Sequence, residues 1–328
     1  MRAVVITEPG DADVLALQDI PEPVPGPEEV LVAVRATALN RADLLQRRGF
    51  YPEPGPPRAH EVPGMELAGT VVALGERATA WQVGDEVMGI VSGGAYAERI
   101  AVHERQLMAV PAALGLADAA AVPEVGITAW DALVVRGGLT SGRVALVHAG
   151  ASGVGTAAIP IAKAMGACVV TTTSTVKVEA CKAIGADVVV DYTVDDFVEA
   201  AWAATDGQGV DVVLDVVGGD YLNRNLKALR VGGTIVQVGV MGGGRTEIDL
   251  GAMLPKRAHL VGTVLRARPL EEKVAVTQRF AREVLPWYAD GTIRPVIDRR
   301  YRLADIAQAH RHMEANANVG KILIDVGD

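Results

Sequence analysis

Val144-Ala145-Leu146-Val147-His148-Ala149-Gly150-Ala151-Ser152-Gly153-Val154-Gly155 decides the fold of this chain. An apolar run meets a glycine-dense turn, and an apolar-periodic stretch follows over residues 156–166. The order strand, loop, helix gives the glycines a physical meaning. They let backbone approach a pyrophosphate, and the free N–H groups of the helix's first turn face the anion. The stretch departs from G-x-G-x-x-G at one place: with Gly150 as the first glycine, the second falls on Ser152. A shifted register, Gly153-x-Gly155-x-x-Ala158, fits the pattern but starts inside the expected helix. We read Gly150 as the turn and Gly153 and Gly155 as the close-approach positions. A strand–turn–helix without a ligand is the alternative.

Residues 169–173, Val-Val-Thr-Thr-Thr, read as the second strand because β-branched side chains suit a pleated, half-buried surface. NAD enzymes with this arrangement place an acid about 20 residues past the glycine loop to hold the ribose 2′-OH. Here Ser174-Thr175-Val176-Lys177 follows the strand, and no carboxylate precedes Glu179. An acid would repel a 2′-phosphate, whereas two hydroxyls and an ammonium bind one, at about 1.5–3 kcal/mol per charge-assisted bond. NADP(H) is the expected cofactor; an ordinary solvated Lys177 is the alternative. Runs at 187–192, 211–218 and 234–239 are nearly continuous in apolar residues, which suits parallel strands buried on both faces. Helical stretches at 177–184, 195–204 and 221–229 separate them, and 259–265 supplies a sixth strand. The expectation is α/β, a doubly wound parallel sheet.

With 328 residues the chain is long enough for two domains, and its 50% hydrophobic content supplies a large core. A net charge of −9 disfavours nucleic acid or an anionic membrane as partner. No apolar run approaches the length of a membrane span, and the opening Met1-Arg2-Ala3-Val4-Val5-Ile6 reads as a strand rather than a signal peptide. Cys168 and Cys181 flank the second strand and read as small buried residues, consistent with a reducing cytoplasm. Residues 1–122 differ in texture. Short strands at 30–36, 68–74, 86–90 and 99–102 alternate with Pro/Gly turns, the spacing of a mostly antiparallel, barrel-like unit. The tail offers a helix at 271–289, a strand at 294–301, a helix at 303–314 and a strand at 321–326. It has no glycine loop and is expected to return to the N-terminal unit, leaving a cleft at the domain border.

Ala38-Leu39-Asn40-Arg41-Ala42-Asp43, Gly64-Met65-Glu66-Leu67-Ala68-Gly69, Gly84-Asp85-Glu86-Val87 and the glycine loop stand in one order. Together they resemble the medium-chain dehydrogenase/reductase superfamily, specifically its zinc-free quinone oxidoreductase branch, nearly end to end. Gly239-Val240-Met241-Gly242-Gly243-Gly244 and Met313-Glu314-Ala315-Asn316 carry the likeness further. The resemblance implies a GroES-like, mostly-β catalytic domain over 1–122, completed by 267–328, and a Rossmann dinucleotide-binding domain over 123–266. It also implies NADPH preference and a homodimer formed by edge-to-edge pairing of outer Rossmann strands, with a tetramer left open.

Zinc alcohol dehydrogenases of this superfamily carry Cys where Asn40 stands and His where Met65 stands, with four clustered cysteines near 90–110. This chain has none of these. Zinc needs three or four converging thiolate, imidazole or carboxylate ligands, so no metal is expected, and alcohol oxidation is disfavoured with it. Hydride addition to a quinone gives an anion spread over the ring. The protein then needs only to stack, orient and donate at most one hydrogen bond.

By resemblance, Asn40, Asp43 and Tyr51 line the substrate side of the nicotinamide and Thr128 faces them. Tyr51 is the candidate donor to a quinone oxygen. Bland readings stand beside these: Asn40 as a loop brace, Tyr51 as packing among prolines. On the cofactor side, Gly153, Val154 and Gly155 meet the pyrophosphate, and Ser174, Lys177 and Tyr192 surround the 2′-phosphate. Backbone at Gly239, Val240 and Met241 and at Val264, Leu265 and Arg266 holds the nicotinamide end, and Lys321 closes over from the tail. Glu66 reads as a structural carboxylate. The expected activity is NADPH:quinone oxidoreduction with a quinone or other activated carbonyl as acceptor. An NADPH-dependent enal or enone reductase and a non-catalytic NADPH-binding protein are the alternatives.

Overall fold

The structure is a computed structural model in which residues 1–55 and 59–327 are described. The chain forms two units: Met1–Ile127 with Leu265–Asp328, and Thr128–Val264. The sequence puts the breaks at 122/123 and 266/267; the first division instead falls inside the Pro123–Trp130 helix.

The second unit is built on six parallel strands. Their order across the sheet is Val188–Asp191, Cys168–Thr173, Val144–Val147, Val210–Asp215, Leu229–Gln237 and His259–Gly262. The chain therefore winds outward from Val144–Val147 in one direction, then returns to its other side with Val210–Asp215. That reversal is the topological switch point, where open α/β sheets bind ligands beyond the carboxyl ends of the strands. The nearly continuous aliphatic runs are explained by burial on both faces: Leu146, Val170, Val213 and Ile235 are inaccessible. Phe197, Leu222 and Leu226 from two helices close over one face. Each such side chain contributes about 1.5–3 kcal/mol by leaving water. The outermost strand, His259–Gly262, is exposed along most of its length. Cys168 and Cys181 are free thiols on the flanks of the second strand.

The first unit depends on one long strand, Glu29–Leu39, which pairs antiparallel with three others: Glu66–Leu74, Arg99–His103 and Lys321–Asp325. Glu86–Ile90 and Leu107–Ala109 extend the sheet on one side. On the other, Ile297–Arg302 adds in parallel to Lys321–Asp325. The tail thus completes the N-terminal sheet, with Ile322 opposite Leu39. A separate hairpin, Arg2–Ile6 with Leu15–Asp19, packs into the same core.

Proline accounts for two departures from the sequence reading. The single helix expected at 271–289 is two helices, Leu270–Glu283 and Leu285–Ala289, because Pro286 has no N–H to continue the ladder. The strand expected from 294 starts at Ile297, beyond Pro295. A short helix at Arg41–Arg47 was not expected.

Candidate functional site

In the second unit the strand Val144–Val147 runs into the turn at 148–152 and the helix Gly153–Ala164. Ser152, which breaks the glycine pattern, is the helix N-cap: its Oγ accepts the N–H of Gly155 at 3.0 Å. Two of the glycines are required by packing against their own chain. A Cβ on Gly150 would lie 2.1 Å from Thr171 Oγ1, and one on Gly155 would lie 2.4 Å from the carbonyl oxygen of Ala149. The left-handed residue of the turn is Ala149 (φ +56°), not Gly150. The N–H groups of Gly153 and Val154, in the first helical turn, have no intrahelical acceptor. This is the arrangement an oxyanion such as a pyrophosphate requires.

Ser174 and Tyr192 follow directly on a paired strand end, Thr173 opposite Asp191, and Tyr192 donates its N–H to the carbonyl of Thr173. Lys177 closes a 3₁₀ turn whose N–H returns to Ser174. The three residues expected around a 2′-phosphate are therefore gathered at the ends of two adjacent strands. Asp191, a carboxylate unnoticed in the sequence, lies beside them. Hydrogen bonds from Thr175 and Thr193 hold it below the usual carboxylate range. Further along the switch point, the 239–242 backbone folds onto 215–217, with Met241 N–H to Val216 O and Gly242 N–H to Val217 O. The side chains of Val240 and Met241 are about half exposed. Thr128 is buried in this unit, and Val264 ends it.

The first unit holds a buried polar cluster. Asn40 caps the Arg41–Arg47 helix: its N–H donates to Asp43 Oδ2 at 2.8 Å, and its carbonyl accepts the N–H of Asp43. The Asn40 side chain points elsewhere. Its Nδ2 donates to Glu66 Oε1 at 2.8 Å and, more weakly, to Ala38 O at 3.3 Å; its Oδ1 accepts from Lys321 Nζ at 2.7 Å. Lys321 also donates to Glu66 Oε1 at 2.7 Å and to Leu39 O at 3.0 Å, which engages all three ammonium hydrogens. The second carboxylate oxygen of Glu66 accepts the N–H of Glu124. Lys321 therefore lies beneath Asn40 as a built-in cation.

Asp43 is fully buried. Its Oδ2 also accepts the Tyr96 hydroxyl at 3.0 Å, while Oδ1 has no partner among the described residues. Burial pushes its carboxyl up to about 6, against the pull of its hydrogen bonds and of Lys321 and Arg266. Burial and the neighbouring Asp43 in turn drive the Tyr96 phenol far up. Tyr96 stacks edge-on against His310, whose Nδ1 takes a hydrogen bond from the buried Arg47.

Tyr51 is half-buried, and its hydroxyl is not engaged among the described residues. Burial raises its pKa, Glu124 adds to the rise and Arg266 opposes it. Arg266 holds the loop: it donates to the carbonyls of Tyr51 and Ser92 and to Gln46 Oε1, and its guanidinium lies 5.2 Å from the Tyr51 ring centre. The prolines expected around Tyr51 include Pro56, which lies outside the described residues. Tyr96 and Arg47 left no signal in the sequence; His310 read only as half of a lone H-x-H and Asp191 only as part of a strand.

Among the described residues no group of three or more His, Cys, Asp or Glu side chains converges as a metal site, and no helix is long and apolar enough to cross a membrane. A family model described as "Alcohol dehydrogenase GroES-like domain" matches residues 26–112, and one described as "Zinc-binding dehydrogenase" matches 184–324. A quinone oxidoreductase of Pseudomonas aeruginosa is 33% identical, covering 96% of each chain. The synaptic vesicle membrane protein VAT-1 homolog of Rattus norvegicus is 32% identical over 100% of this chain and 84% of its own. Among solved structures, a Pseudomonas syringae quinone oxidoreductase superposes with a TM-score of 0.90 at 29% identity, covering 99% of both chains. An NAD-dependent alcohol dehydrogenase gives 0.89 at 31%, covering 100% of both. A mycobacterial protein complexed with NADPH gives 0.88 at 30%, over 99% of this chain and 100% of its own.

Proposed function

Because this chain belongs to the medium-chain dehydrogenase/reductase superfamily and is an oxidoreductase of that family, we propose that it is a zinc-independent NADPH:quinone oxidoreductase. The observation that carries this reading is the Lys321–Glu66–Asn40 network. Asn40 Oδ1 and Glu66 Oε1 are already bonded to an ammonium, Glu66 Oε2 accepts a backbone N–H, and Met65 supplies no imidazole. Zinc does not fit these residues. An acceptor that needs no Lewis acid fits better, and a quinone is such an acceptor.

Bound NADPH supplies a hydride. The N–H groups of Gly153 and Val154, with the Ser152-capped turn and Gly150 and Gly155 behind them, hold the pyrophosphate. Ser174, Lys177 and Tyr192 hold the 2′-phosphate, and Glu179, the first acid of the sequence past the second strand, lies on the following helix. Backbone at Gly239, Val240, Met241 and Val264 serves the nicotinamide end, with Thr128 in the same unit. In the first unit Tyr51 keeps its proton at neutral pH. An unengaged, protonated phenol is what the oxygen gaining charge requires of a donor. Arg266 sets the Tyr51 loop, and backbone at Leu265 serves the nicotinamide end with Val264. Asn40, with both N–H groups spent, braces that region, Asp43 fixes the helix start, and Lys321 locks Asn40. These three act as positioning residues. The exposed outer strand His259–Gly262, with Leu260 42% exposed, supports a homodimer formed by strand pairing.

Steady-state NADPH oxidation with an ortho-quinone, a para-quinone, a 2-enal and a crotonyl thioester tests the reading. Quinones are expected to give the highest kcat/KM. A clear preference for the enal or thioester over both quinones would replace it with the C=C reductase.

A further inference from the structure

A polar chain runs beneath the switch point of the second unit, and none of its members is a ligand-binding residue in the reading above. His148 follows the strand Val144–Val147 and is fully buried. Its Nδ1 lies 3.0 Å from Thr172 Oγ1 and its Nε2 lies 2.7 Å from Asn225 Oδ1. Asn225 Nδ2 donates to Asp215 Oδ2 at 2.8 Å, and Asp215 Oδ1 accepts the N–H groups of Val217 and Gly218 at 2.6 and 2.9 Å. Gln237 Nε2 then donates to both Asp215 O and Gly239 O. The chain thus visits the carboxyl ends of four neighbouring strands.

Its direction is fixed by chemistry. Asp215 accepts two backbone N–H groups on Oδ1 and the amide N–H₂ of Asn225 on Oδ2, which turns the amide oxygen toward His148. Nε2 must then carry the imidazole proton, leaving Nδ1 to accept from the Thr172 hydroxyl. Thr172 Oγ1 in turn receives the N–H of Ala149 at 3.3 Å, at the one left-handed non-glycine residue of the turn. His148 therefore faces Thr172 from one strand, Asp215 from another, and Asn225, Tyr221 and Arg224 from the Tyr221–Ala228 helix. The Phe197 ring packs edge-on at 4.8 Å. Desolvation disfavours the imidazolium here, outweighing the pull of Asp215.

We propose that His148 is a positioning residue for dinucleotide binding. As a neutral Nε2–H imidazole, it joins the left-handed turn at Ala149 to the Asp215–Gly218 turn, so that the pyrophosphate loop and the nicotinamide-side loop are held by one hydrogen-bond chain. The inference rests on the reading that these loops bind NADP(H). It differs from a purely structural role because the two loops, not the sheet, carry its consequence.

The test is the dissociation constant of the full chain for NADPH and for NADH at 10 °C, by nicotinamide fluorescence, for wild type, His148→Gln and Thr172→Val. Loss of one internal bond is expected to weaken both nucleotides about tenfold in His148→Gln, and somewhat less in Thr172→Val, with the KM for the acceptor unchanged. Folded His148→Gln that binds both nucleotides as tightly as wild type, even with a lowered melting temperature, overturns the inference while leaving the cofactor reading intact. Wild type that binds neither nucleotide removes both. Nitrogen-15 shifts of the histidines in wild type give a reading that no variant can confound. His148 should show a bare Nδ1 and a protonated Nε2 at pH 7, and an Nδ1–H or doubly protonated ring there refutes the proposal.

Discussion

Asp43→Asn should stabilise the protein at neutral pH and not in acid. Burial raises the Asp43 carboxyl to about 6 in the folded chain from its ordinary value of 3.8. Between those values the folded state holds a proton that the unfolded state has lost, so stability falls as pH rises through the window. Above pH 6 the full cost of the buried carboxylate is reached, about 3 kcal/mol at 1.36 kcal/mol per pH unit. The amide keeps an oxygen for Asn40 N–H and the Tyr96 hydroxyl. It also puts an N–H₂ where Oδ1 has no partner, a cost of about 1 kcal/mol. The net expectation is a gain of about 2 kcal/mol at pH 7, vanishing near pH 4.5 and turning into a loss of about 0.5 kcal/mol at pH 4. Urea unfolding of both proteins at pH 4, 5.5 and 7 measures the difference directly. A stability difference that does not change with pH, or a loss at pH 7, would show that burial does not hold Asp43 protonated.

Three further outcomes follow from neighbouring groups. His310 is lowered to about 3 by burial and Arg47, so the unfolded chain gains a proton there between about pH 6.5 and 3 and stability falls as pH drops through that range. This slope opposes that of Asp43. Urea midpoints of wild type should therefore be nearly flat over pH 4–6, and His310→Gln should make stability decline with rising pH there; an unchanged profile refutes the assignment. Lys321→Met strands Glu66 as an uncompensated buried charge and should cost about 3–5 kcal/mol, much of it recovered in Lys321→Met with Glu66→Gln; additive losses in the double variant would contradict the pairing. Lys177→Ala should weaken NADPH about 10–100-fold and leave NADH unchanged in fluorescence titration, and an equal loss for both nucleotides would dismiss a 2′-phosphate role.

The doubly wound sheet was legible because its central strands are buried on both faces and so are written as runs rich in aliphatic and β-branched residues, although the outer strand His259–Gly262 is largely exposed. The glycine turn was legible because Gly150 and Gly155 have no room for a side chain, and even the irregular Ser152 has a readable cause as a helix cap. The cluster around Asn40 was not. Its members lie on a helix start, the strand Glu66–Leu74, the loop at Tyr96 and the strand Lys321–Asp325, and no periodicity links Asp43 to Tyr96 or Lys321 to Glu66. The family pattern pointed to Asn40 and Asp43 but not to what they do. Only their partners show that one is fully bonded and the other sealed from solvent. His148 was in plain view at the head of the glycine stretch, yet its importance depends on Asn225, which sits far along the chain on a different helix.

The Lys321–Asn40 bond joins positions 281 residues apart. Synthesis must therefore pass residue 325 before the first sheet can receive the strand Lys321–Asp325. The nucleotide-binding unit, by contrast, is contiguous and free to mature as soon as it emerges. Glu66 and Asn40 must wait, hydrated and unpaired, until that strand arrives. Assembly of the first unit should accordingly be the late, slow event of biogenesis, visible as a refolding phase that Lys321→Met alters and that substitutions in the six-stranded sheet leave alone.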